Sequence, residues 1–351
     1  MKIGNFDLNG PATFIIAELS ANHGGDIDIA KRTIDAAKEA GADAVKLQTY
    51  RADTITLDCN RKDFIIGGET LWDGQRLYDL YKEASLPWEW HAELFEHARE
   101  RGLEIFSSPF DKSAVDFLET FSPCAYKIAS FEITDYGLIR YAAAKGRPMI
   151  ISTGIATIQE IQDAVDICRE EGNTNIALLQ CTSSYPAPLE EANLNTIPNM
   201  RDSFGVVAGF SDHTLGISAP VAAVALGAKI IEKHFILDKS IGGPDAGFSL
   251  DREEFGAMVR AVRETEKLLG NVNYSLTERK RRNRRFARSL YVAEEIRKGE
   301  IFTENNLRSV RPGYGLHPKY LPEILGKRAR CDLQKGTPMK FSYVEETCET
   351  G

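Results

Sequence analysis

The sequence predicts an α/β fold, namely a (β/α)8 barrel followed by a small C-terminal domain. Short apolar runs alternate with longer amphipathic segments, and eight such runs fall within about 270 residues. After Gly270 the pattern changes to short pieces that glycine and proline interrupt. Eight strand and helix units are typical of a closed barrel, while a doubly wound open sheet remains the alternative.

The eight predicted strands are apolar runs that end in polar residues. In chain order they are TFIIAELS (13–20), DAVKLQTY (43–50), EIFSSPF (104–110), AYKIASFE (125–132), PMIISTG (148–154), NIALLQCTSSYP (175–186), VVAGFSDHT (206–214) and KIIEKHF (229–235). Helices are predicted where apolar residues recur every three or four positions. They cover 26–43, where Gly41 should end the helix, and 112–121, 136–146, 157–172, 216–228 and 252–270.

One predicted connection is too long to be a simple turn. It runs from Arg51 to about Pro87 and includes the stretch FIIGGETLWDG. Long loops on barrel scaffolds usually form lids or walls that face the substrate. We therefore expect part of the functional site in this segment.

The composition excludes several classes of protein. The net charge of −8 argues against a general role in binding nucleic acid. The N-terminus lacks an apolar signal segment, and no apolar stretch approaches the roughly 20 residues that span a bilayer. The six cysteines are widely spaced without a C-x-x-C pair, which favours reduced thiols over a zinc cage or a disulfide framework. We expect a cytoplasmic protein.

A basic segment marks the predicted domain boundary. Lysine or arginine occupies seven of the ten positions from Arg279 to Arg288. We place the barrel, with a linker from about 270, at 1–282 and the C-terminal domain at 283–351. The basic segment is a solvated linker, an interface with an acidic surface, or a nucleic-acid contact; Phe286 is its only aromatic residue.

Two histidines are predicted at the mouth of the barrel. Alternation along a strand places His213 on the face of Ser211, and His234 on the face of Glu232. Inward imidazoles on adjacent strands can share a divalent metal, and Glu18 at the end of the first strand could complete the set. Such a site suits Mn, Co, Fe or Zn, and the sequence does not choose among them. The alternative is that each is a hydrogen-bonded core histidine.

The predicted strand ends also carry lysines and hydroxyl groups. Lys46 and Lys127 would be costly inside a barrel mouth unless they meet an anion or act chemically. Two interpretations stay open, namely anion binding by the lysines and a Schiff-base lysine. Hydroxyl-rich ends at 107–110, 152–154 and 181–186 could donate to the same anion.

Taken together, these motifs resemble those of the sialic acid synthase family. The matching stretches are AELSANHGGDIDIAKRTIDAAKEAGADAVKLQTY, FSSPFD, YKIAS, ISTGIA, CTSSYP, GFSDHT, EKHF and RPGYGL, in that order. The resemblance implies condensation of phosphoenolpyruvate with a 2-acetamido sugar to a nine-carbon keto acid and phosphate. It also implies a (β/α)8 TIM barrel with an antifreeze-like SAF domain, in a homodimer whose SAF domain reaches the partner's barrel.

The resemblance also implies roles for individual residues. It assigns metal binding to His213 and His234, with Mn²⁺, Mg²⁺ or Co²⁺ as the ion, and a catalytic carboxylate to Glu18. Contacts to phosphoenolpyruvate fall on Lys46, Lys127, Ser130, Ser152, Ser183 and Ser211. Contacts to the sugar fall on Gln48, Tyr185, Asp245 and, from the partner subunit, Arg311. The basic segment then suits a dimer interface, and neither nucleic acid nor membrane is expected as a partner.

Departures from the general pattern point to one branch of the family. Ala246 in GGPDAGFSL stands where sialic and legionaminic acid synthases usually have histidine, and GGETLWDG and KIASFEITD are similar to the pseudaminic acid branch. This branch uses 2,4-diacetamido-2,4,6-trideoxy-L-altrose, and an apolar lid with Leu71 and Trp72 would suit such a sugar. The alternative acceptors are those of the neuraminate and legionaminate branches.

Overall fold

The computed structural model describes residues 1–68 and 72–345, and eight parallel strands in it close into a barrel. The strands are β1 (Lys2–Ile3), β2 (Phe6–Asp7), β3 (Phe14–Glu18), β4 (Ala44–Thr49), β5 (Glu104–Pro109), β6 (Tyr126–Ile128), β7 (Met149–Ser152), β8 (Ile176–Cys181), β9 (Val207–Asp212), β10 (Ile230–His234), β11 (Ser289–Val292) and β12 (Leu307–Val310). The barrel consists of β3 to β10, and β10 pairs with β3 to close it. The predicted (β/α)8 barrel is confirmed.

Helices surround the barrel. They are α1 (Ile27–Ala40), α2 (Ala52–Ile55), α3 (Leu77–Ala84), α4 (His91–Glu100), α5 (Lys112–Glu119), α6 (Tyr136–Ala143), α7 (Ile158–Glu170), α8 (Thr196–Phe204), α9 (Ser218–Ala225) and α10 (Arg252–Leu269). Two further helices, α11 (Glu278–Asn283) and α12 (Leu321–Ile324), belong to the C-terminal part of the chain. The side chain of Asp26 caps α1, and Gly41 ends it at a φ of 93°, a conformation that glycine adopts without strain.

Two barrel helices, α4 and α8, are absent from the sequence-based prediction. The connection after β4 contains α2 and α3 before α4, so it is a folded wall rather than an open loop. Helix α8 is short and has Pro198 in its first turn, which weakens its apolar periodicity as a signal.

Alternating side chains divide the barrel core into two layers. Phe14, Ile16, Phe106 and Leu179 pack with other inward residues inside the barrel, and Ile3 from the N-terminal hairpin of β1 and β2 joins them. The intervening strand residues pack against the helices. The lower barrel is therefore filled, and only the carboxyl ends of the strands leave room for a ligand.

Contacts between Cα atoms separate the chain into two compact units, Met1–Gly270 and Asn271–Gly351. In the second unit β11 and β12 pair antiparallel, and Leu290, Phe302 and Met339 belong to its small core. Within the described ranges, no helix is both long and apolar enough to cross a membrane.

Candidate active site

The carboxyl ends of the barrel strands form one mouth, where the inward residues are polar and buried. Strand register places Glu18 beside His234 on one side and beside Lys46 on the other. In the same way Ser211 lies beside Glu232. The predicted metal-binding, catalytic and anion-binding groups of these strands therefore share one site.

His213 and His234 lie side by side, with ring centroids 5.3 Å apart. Both are buried, and Tyr185 and Phe248 pack against their rings. Nδ1 of His213 donates to the carbonyl oxygen of Thr182 over 2.9 Å, which leaves the lone pair of Nε2 available.

The second imidazole carries an unsatisfied nitrogen. Among the residues that the structure describes, Nδ1 of His234 has no hydrogen-bond partner, and Oδ2 of Asp245 lies 3.7 Å away. Burial lowers the pKa of His234 well below its usual value, and the nearby His213 and Lys46 act in the same direction. A neutral buried imidazole with a free nitrogen is the form that binds a metal ion.

The pair fits a divalent cation, but Glu18 does not complete the set. In residues 1–68 and 72–345, no group of three or more His, Cys, Asp or Glu side chains is arranged to hold a metal ion. Glu18 instead lies 3.0 Å from Lys46 and accepts a hydrogen bond of 2.9 Å from Gln48. The arrangement with Glu18 as a third ligand is wrong in this structure, and within the described ranges the two imidazoles are the groups placed to hold an ion.

Two lysines and two glutamates form a buried charge cluster beneath the histidines. Nζ of Lys46 lies 3.0 Å from Glu18 Oε2 and 3.4 Å from Glu232 Oε1. Nζ of Lys127 lies 3.7 Å from the same Glu232 oxygen, which also accepts a 3.0 Å hydrogen bond from Ser211. The four charges compensate each other in the absence of ligand, so an incoming anion would exchange partners rather than enter an uncompensated field.

Burial and neighbouring charges give these groups different pKa values. Burial raises the pKa of Glu18 to about 7, although Lys46 opposes the shift. For Glu232 burial acts upward too, but Lys127 and Lys46 outweigh it and lower the pKa. Burial lowers the pKa of Lys127. One carboxylate is thus held ionised while the other can exchange a proton near neutral pH.

Hydroxyl groups converge at the ends of β6, β7 and β8. Ser130 accepts a 3.1 Å hydrogen bond from the amide of Gly154. The buried hydroxyl oxygens of Ser152 and Ser183 have no partner among the described residues. A Cβ at Gly154 would lie 2.3 Å from the hydroxyl of Ser183 and 2.9 Å from that of Ser130, so glycine is needed for this close approach. Unsatisfied buried donors indicate that a ligand oxygen belongs here.

A cavity of about 310 Å³ extends outward from this site. Its inner end is polar and includes the predicted sugar-binding residues Gln48, Tyr185 and Asp245 together with His234. Gln48 also donates to Ser20 over 2.9 Å, and Asp245 accepts from the amide of Ala21 over 3.2 Å. These contacts orient the side chains at the inner end before any ligand binds.

The outer end of the cavity is mainly apolar. Its lining residues come from the wall after β4 and from neighbouring loops, and include Tyr50, Ile55, Trp72, Leu80, Tyr81, Ala84, Phe110 and Phe131. Ring centroids of Tyr50 lie 5.9 Å from Tyr81 and 5.0 Å from Phe110. Leu71, which the sequence analysis places in the same lid, lies outside the described residues.

Sequence reasoning omits two carboxylates of this site. Glu232 alternates with His234 on the inward face, so strand parity was a sufficient signal for it. Glu132 follows Ser130 by two positions and lines the cavity; burial raises its pKa to about 7. Arg311 belongs to the C-terminal unit, where it is exposed, so its contact with sugar remains a prediction.

Comparison with known proteins places the chain in one family. The model of the NeuB family matches residues 33–274, and the SAF domain matches residues 287–345. The chain is 52% identical over 342 residues to pseudaminic acid synthase from Campylobacter jejuni, covering 97% of this chain and 99% of the relative. It is 49% identical over 334 residues to pseudaminic acid synthase from Helicobacter pylori, covering 95% and 98%.

A solved structure is similar over the same length. The spore coat polysaccharide biosynthesis protein spsE from Bacillus subtilis has a TM-score of 0.66 at 37% identity and covers 99% of both chains. The resemblance to sialic acid synthases and the predicted C-terminal SAF domain are both confirmed. The chain belongs to the NeuB family.

Proposed function

We propose that the protein condenses phosphoenolpyruvate with 2,4-diacetamido-2,4,6-trideoxy-L-altrose to give pseudaminate and phosphate. The observation that carries the proposal is one buried mouth that combines two adjacent imidazoles, two lysines and unsatisfied hydroxyl donors. This combination suits an anion beside a polarised carbonyl. The relatives named pseudaminic acid synthase support the choice of sugar.

The anion half of the site would bind phosphoenolpyruvate. Lys46 and Lys127 would pair with its charges through charge-assisted hydrogen bonds. Hydroxyl groups complete the contacts; they are those of Ser130, Ser152, Ser183 and Ser211. Glu232 already pairs with both lysines. When the anionic ligand takes these lysines as its own partners, the negative charge of Glu232 needs another partner, which favours a cation or a proton nearby.

The histidine half would hold a divalent cation through His213 and His234, with Mn²⁺ or Mg²⁺ as the first candidates and Co²⁺ as another. Such an ion acts as a Lewis acid towards the aldehyde oxygen of the open-chain sugar. His234 lines the inner end of the cavity and the ring of His213 lies beside it, so this end would receive the aldehyde. Gln48, Tyr185 and Asp245 would then contact the first carbons of the sugar.

The reaction requires one new C–C bond and one C–O cleavage. C3 of phosphoenolpyruvate attacks the aldehyde carbon, whose oxygen becomes a hydroxyl group after taking a proton, and positive charge develops at C2. Water adds at C2 and loses a proton, and the tetrahedral intermediate expels phosphate. Glu18, with a pKa of about 7, is the residue we assign to orient this water and accept its proton.

The apolar outer end of the cavity supports a deoxy sugar with two acetamido groups. An extended sugar with its aldehyde at the histidines would direct its distal carbons towards Leu80, Tyr81 and Phe110. A methyl group at C6 loses little by leaving water there, whereas a hydroxyl group would lose hydrogen bonds to solvent. This is the physical reason to prefer the diacetamido-altrose over N-acetylmannosamine.

We also propose a homodimer in which a second copy completes the site. Exposed apolar side chains follow strands β6 to β9 around the mouth, at Phe131, Ile155, Ile158, Leu189 and Leu215. An apolar rim of this kind is typical of an interaction surface. In this proposal the barrel domain with its linker covers 1–282, the SAF domain covers 283–351, and Arg311 of the partner copy contacts the sugar.

The test is phosphate release from phosphoenolpyruvate with three sugars in parallel, after removal of metal and readdition of Mn²⁺ or Mg²⁺. We expect the diacetamido-altrose to exceed N-acetylmannosamine and the legionaminate precursor by at least about tenfold in kcat/KM. Preference for another of the three sugars would change the branch but not the chemistry. No phosphate release with any sugar would refute the proposal.

A Schiff-base lyase is the second candidate, because burial lowers the pKa of Lys127 and so favours a neutral amine. Borohydride trapping with a keto acid distinguishes the two. We expect no covalent adduct, since Lys127 faces Glu232 within an ion-pair cluster. An adduct on Lys127 that forms at the rate of turnover would favour the lyase.

A further inference from the structure

A buried ion pair connects the two strands that carry the histidines. Asp212 and Lys233 lie directly opposite each other on β9 and β10, one position before His213 and His234. Their side chains point away from the barrel interior and are fully buried against the helix layer. Nζ of Lys233 lies 2.6 Å from Oδ2 of Asp212.

The same two side chains also hold the backbone after His213. The other oxygen of Asp212, Oδ1, accepts a 2.8 Å hydrogen bond from the amide of Thr214. Nζ of Lys233 donates to the carbonyl oxygen of Thr214. His213 therefore lies between two residues, Asp212 and Thr214, that both bind Lys233. Lys233 in turn immediately precedes His234.

Stability alone is a weak explanation for this arrangement. Removing two charges from water is costly, and apolar residues in the same space would often be at least as stabilising. Another ion pair of the barrel, between Arg263 and Asp43, keeps 29% and 24% of its side-chain surfaces exposed at the amino ends of the strands. The Asp212–Lys233 pair is fully buried and joins β9 to β10. A shift of one of these strands along the other would separate the imidazoles.

We propose that Asp212 and Lys233 are positioning residues that hold the imidazoles of His213 and His234 at the separation that one divalent cation requires. The inference rests on the proposed function, since it concerns the same metal-binding pair. In the part of the chain that the structure describes, no third protein ligand joins the two imidazoles, so the binding of an ion there depends on the distance between the two rings. Partners that orient metal ligands typically change metal affinity by 10–100-fold when they are removed.

The test uses the double variant Asp212→Asn, Lys233→Met in the full chain. Asparagine keeps the acceptor for the amide of Thr214, while both charges and the link from Lys233 are lost. We expect Mn²⁺ to bind about 10–100-fold more weakly, measured by the free Mn²⁺ signal in electron paramagnetic resonance without substrates. At saturating Mn²⁺ we expect a lower kcat with KM for phosphoenolpyruvate within about twofold, because both lysines and most hydroxyl groups of the anion site lie on other strands.

The matched control is Asp43→Asn, Arg263→Met, which removes an ion pair from the opposite end of the barrel. We expect it to lower thermal stability while leaving the Mn²⁺ affinity unchanged. Unchanged Mn²⁺ affinity in the Asp212/Lys233 variant would overturn the inference, as would an equal loss of affinity in both double variants. If the Asp212/Lys233 variant does not fold, the isosteric single variant Asp212→Asn is measured instead. We again expect weaker Mn²⁺ binding, and unchanged Mn²⁺ binding would again contradict the inference.

His213→Ala separates this inference from the proposed function. If that variant still binds Mn²⁺ like the parent, the metal site itself is refuted. If it loses Mn²⁺ while the Asp212/Lys233 variant retains it, only the positioning role is refuted.

Discussion

At the scale of single residues, burial and neighbouring charges together decide which side chains carry charge. Glu18 and Glu232 are both buried carboxylates in the same mouth, yet burial raises the pKa of the first to about 7 and two lysines lower that of the second. His234 is held neutral by its surroundings. Groups whose pKa values are separated in this way can take different roles in one reaction.

Lys127 provides a direct test of the anion site. Lys127→Met removes the charged donor and keeps most of the unbranched side chain, so we expect KM for phosphoenolpyruvate to rise about 10–100-fold with little change in KM for sugar. Steady-state kinetics with each substrate varied in turn gives both constants. Lys229→Met is the matched control, since Lys229 binds the carbonyl oxygen of Gly10 at the other end of the barrel. Equal increases in both constants would remove Lys127 from the anion site.

His91 provides a test of how burial affects stability. The side chain is fully buried, and its Nε2 lies 2.8 Å from the hydroxyl of Thr49. Burial lowers the pKa of His91 from 6.5 to about 4, so the unfolded chain binds a proton that the folded chain refuses. Stability from this residue is therefore complete above pH 6.5 and is lost progressively as the pH falls to 4, by about 3 kcal/mol.

His91→Gln should remove this part of the pH dependence. We expect the free energy of unfolding in urea to fall less steeply between pH 6.5 and 4 in the variant than in the parent. The control is His317→Gln, at an exposed histidine of the C-terminal unit. A variant curve parallel to that of the parent would show that His91 does not titrate in this range.

At the scale of elements, the loops after the strands combine donors that no single segment contains. The loop after β7 contributes Gly154, whose missing side chain leaves space for the hydroxyls of Ser130 and Ser183. These three residues come from three successive barrel segments. The geometry of the anion site therefore depends on the register of neighbouring strands.

Gly154→Ala tests this convergence. The added methyl group would meet both serine hydroxyls, so we expect KM for phosphoenolpyruvate to rise about tenfold while the fold persists. Circular dichroism and kinetics measure the two effects. Gly137→Ala, in α6, adds the same methyl group 3.4 Å from Asp135 and should leave KM unchanged. An unaltered KM in Gly154→Ala would show that the hydroxyls do not bind the substrate.

At the scale of the whole molecule, the proposed dimer predicts that two inactive variants complement each other. His213→Ala disables the barrel, and Arg311→Ala disables the contribution of the C-terminal unit. In a mixed dimer one site would contain both intact parts, so equal mixing and subunit exchange should restore about a quarter of the parent activity. Phosphate release measures this recovery. Exchange of labelled subunits without any recovery would refute a site shared between copies.

Much of the fold and part of the site can be predicted from the sequence. Period-two alternation correctly assigns the inward face of His213, His234 and Lys46, because parallel strands keep that period whatever surrounds them. Helix α8 is missed because Pro198 weakens its periodicity, whereas α4 has a clear helical spacing of buried residues, with Leu94, Phe95 and Ala98, that the prediction left out. The omission of Glu232 was avoidable, whereas the failure of Glu18 as a metal ligand was not, since it depends on Lys46 and Gln48 from another strand.

By itself the sequence determined the order of the barrel strands and of most barrel helices, the faces of the strands and the family. These properties are local, or are carried by motifs along the chain. Only the tertiary structure decided which buried groups are charged and which hydroxyls and nitrogens lack partners. It alone also shows the buried ion pair between Asp212 and Lys233, next to the two histidines. The physical reason is that protonation and hydrogen bonding depend on burial and on neighbours that lie far apart in the chain.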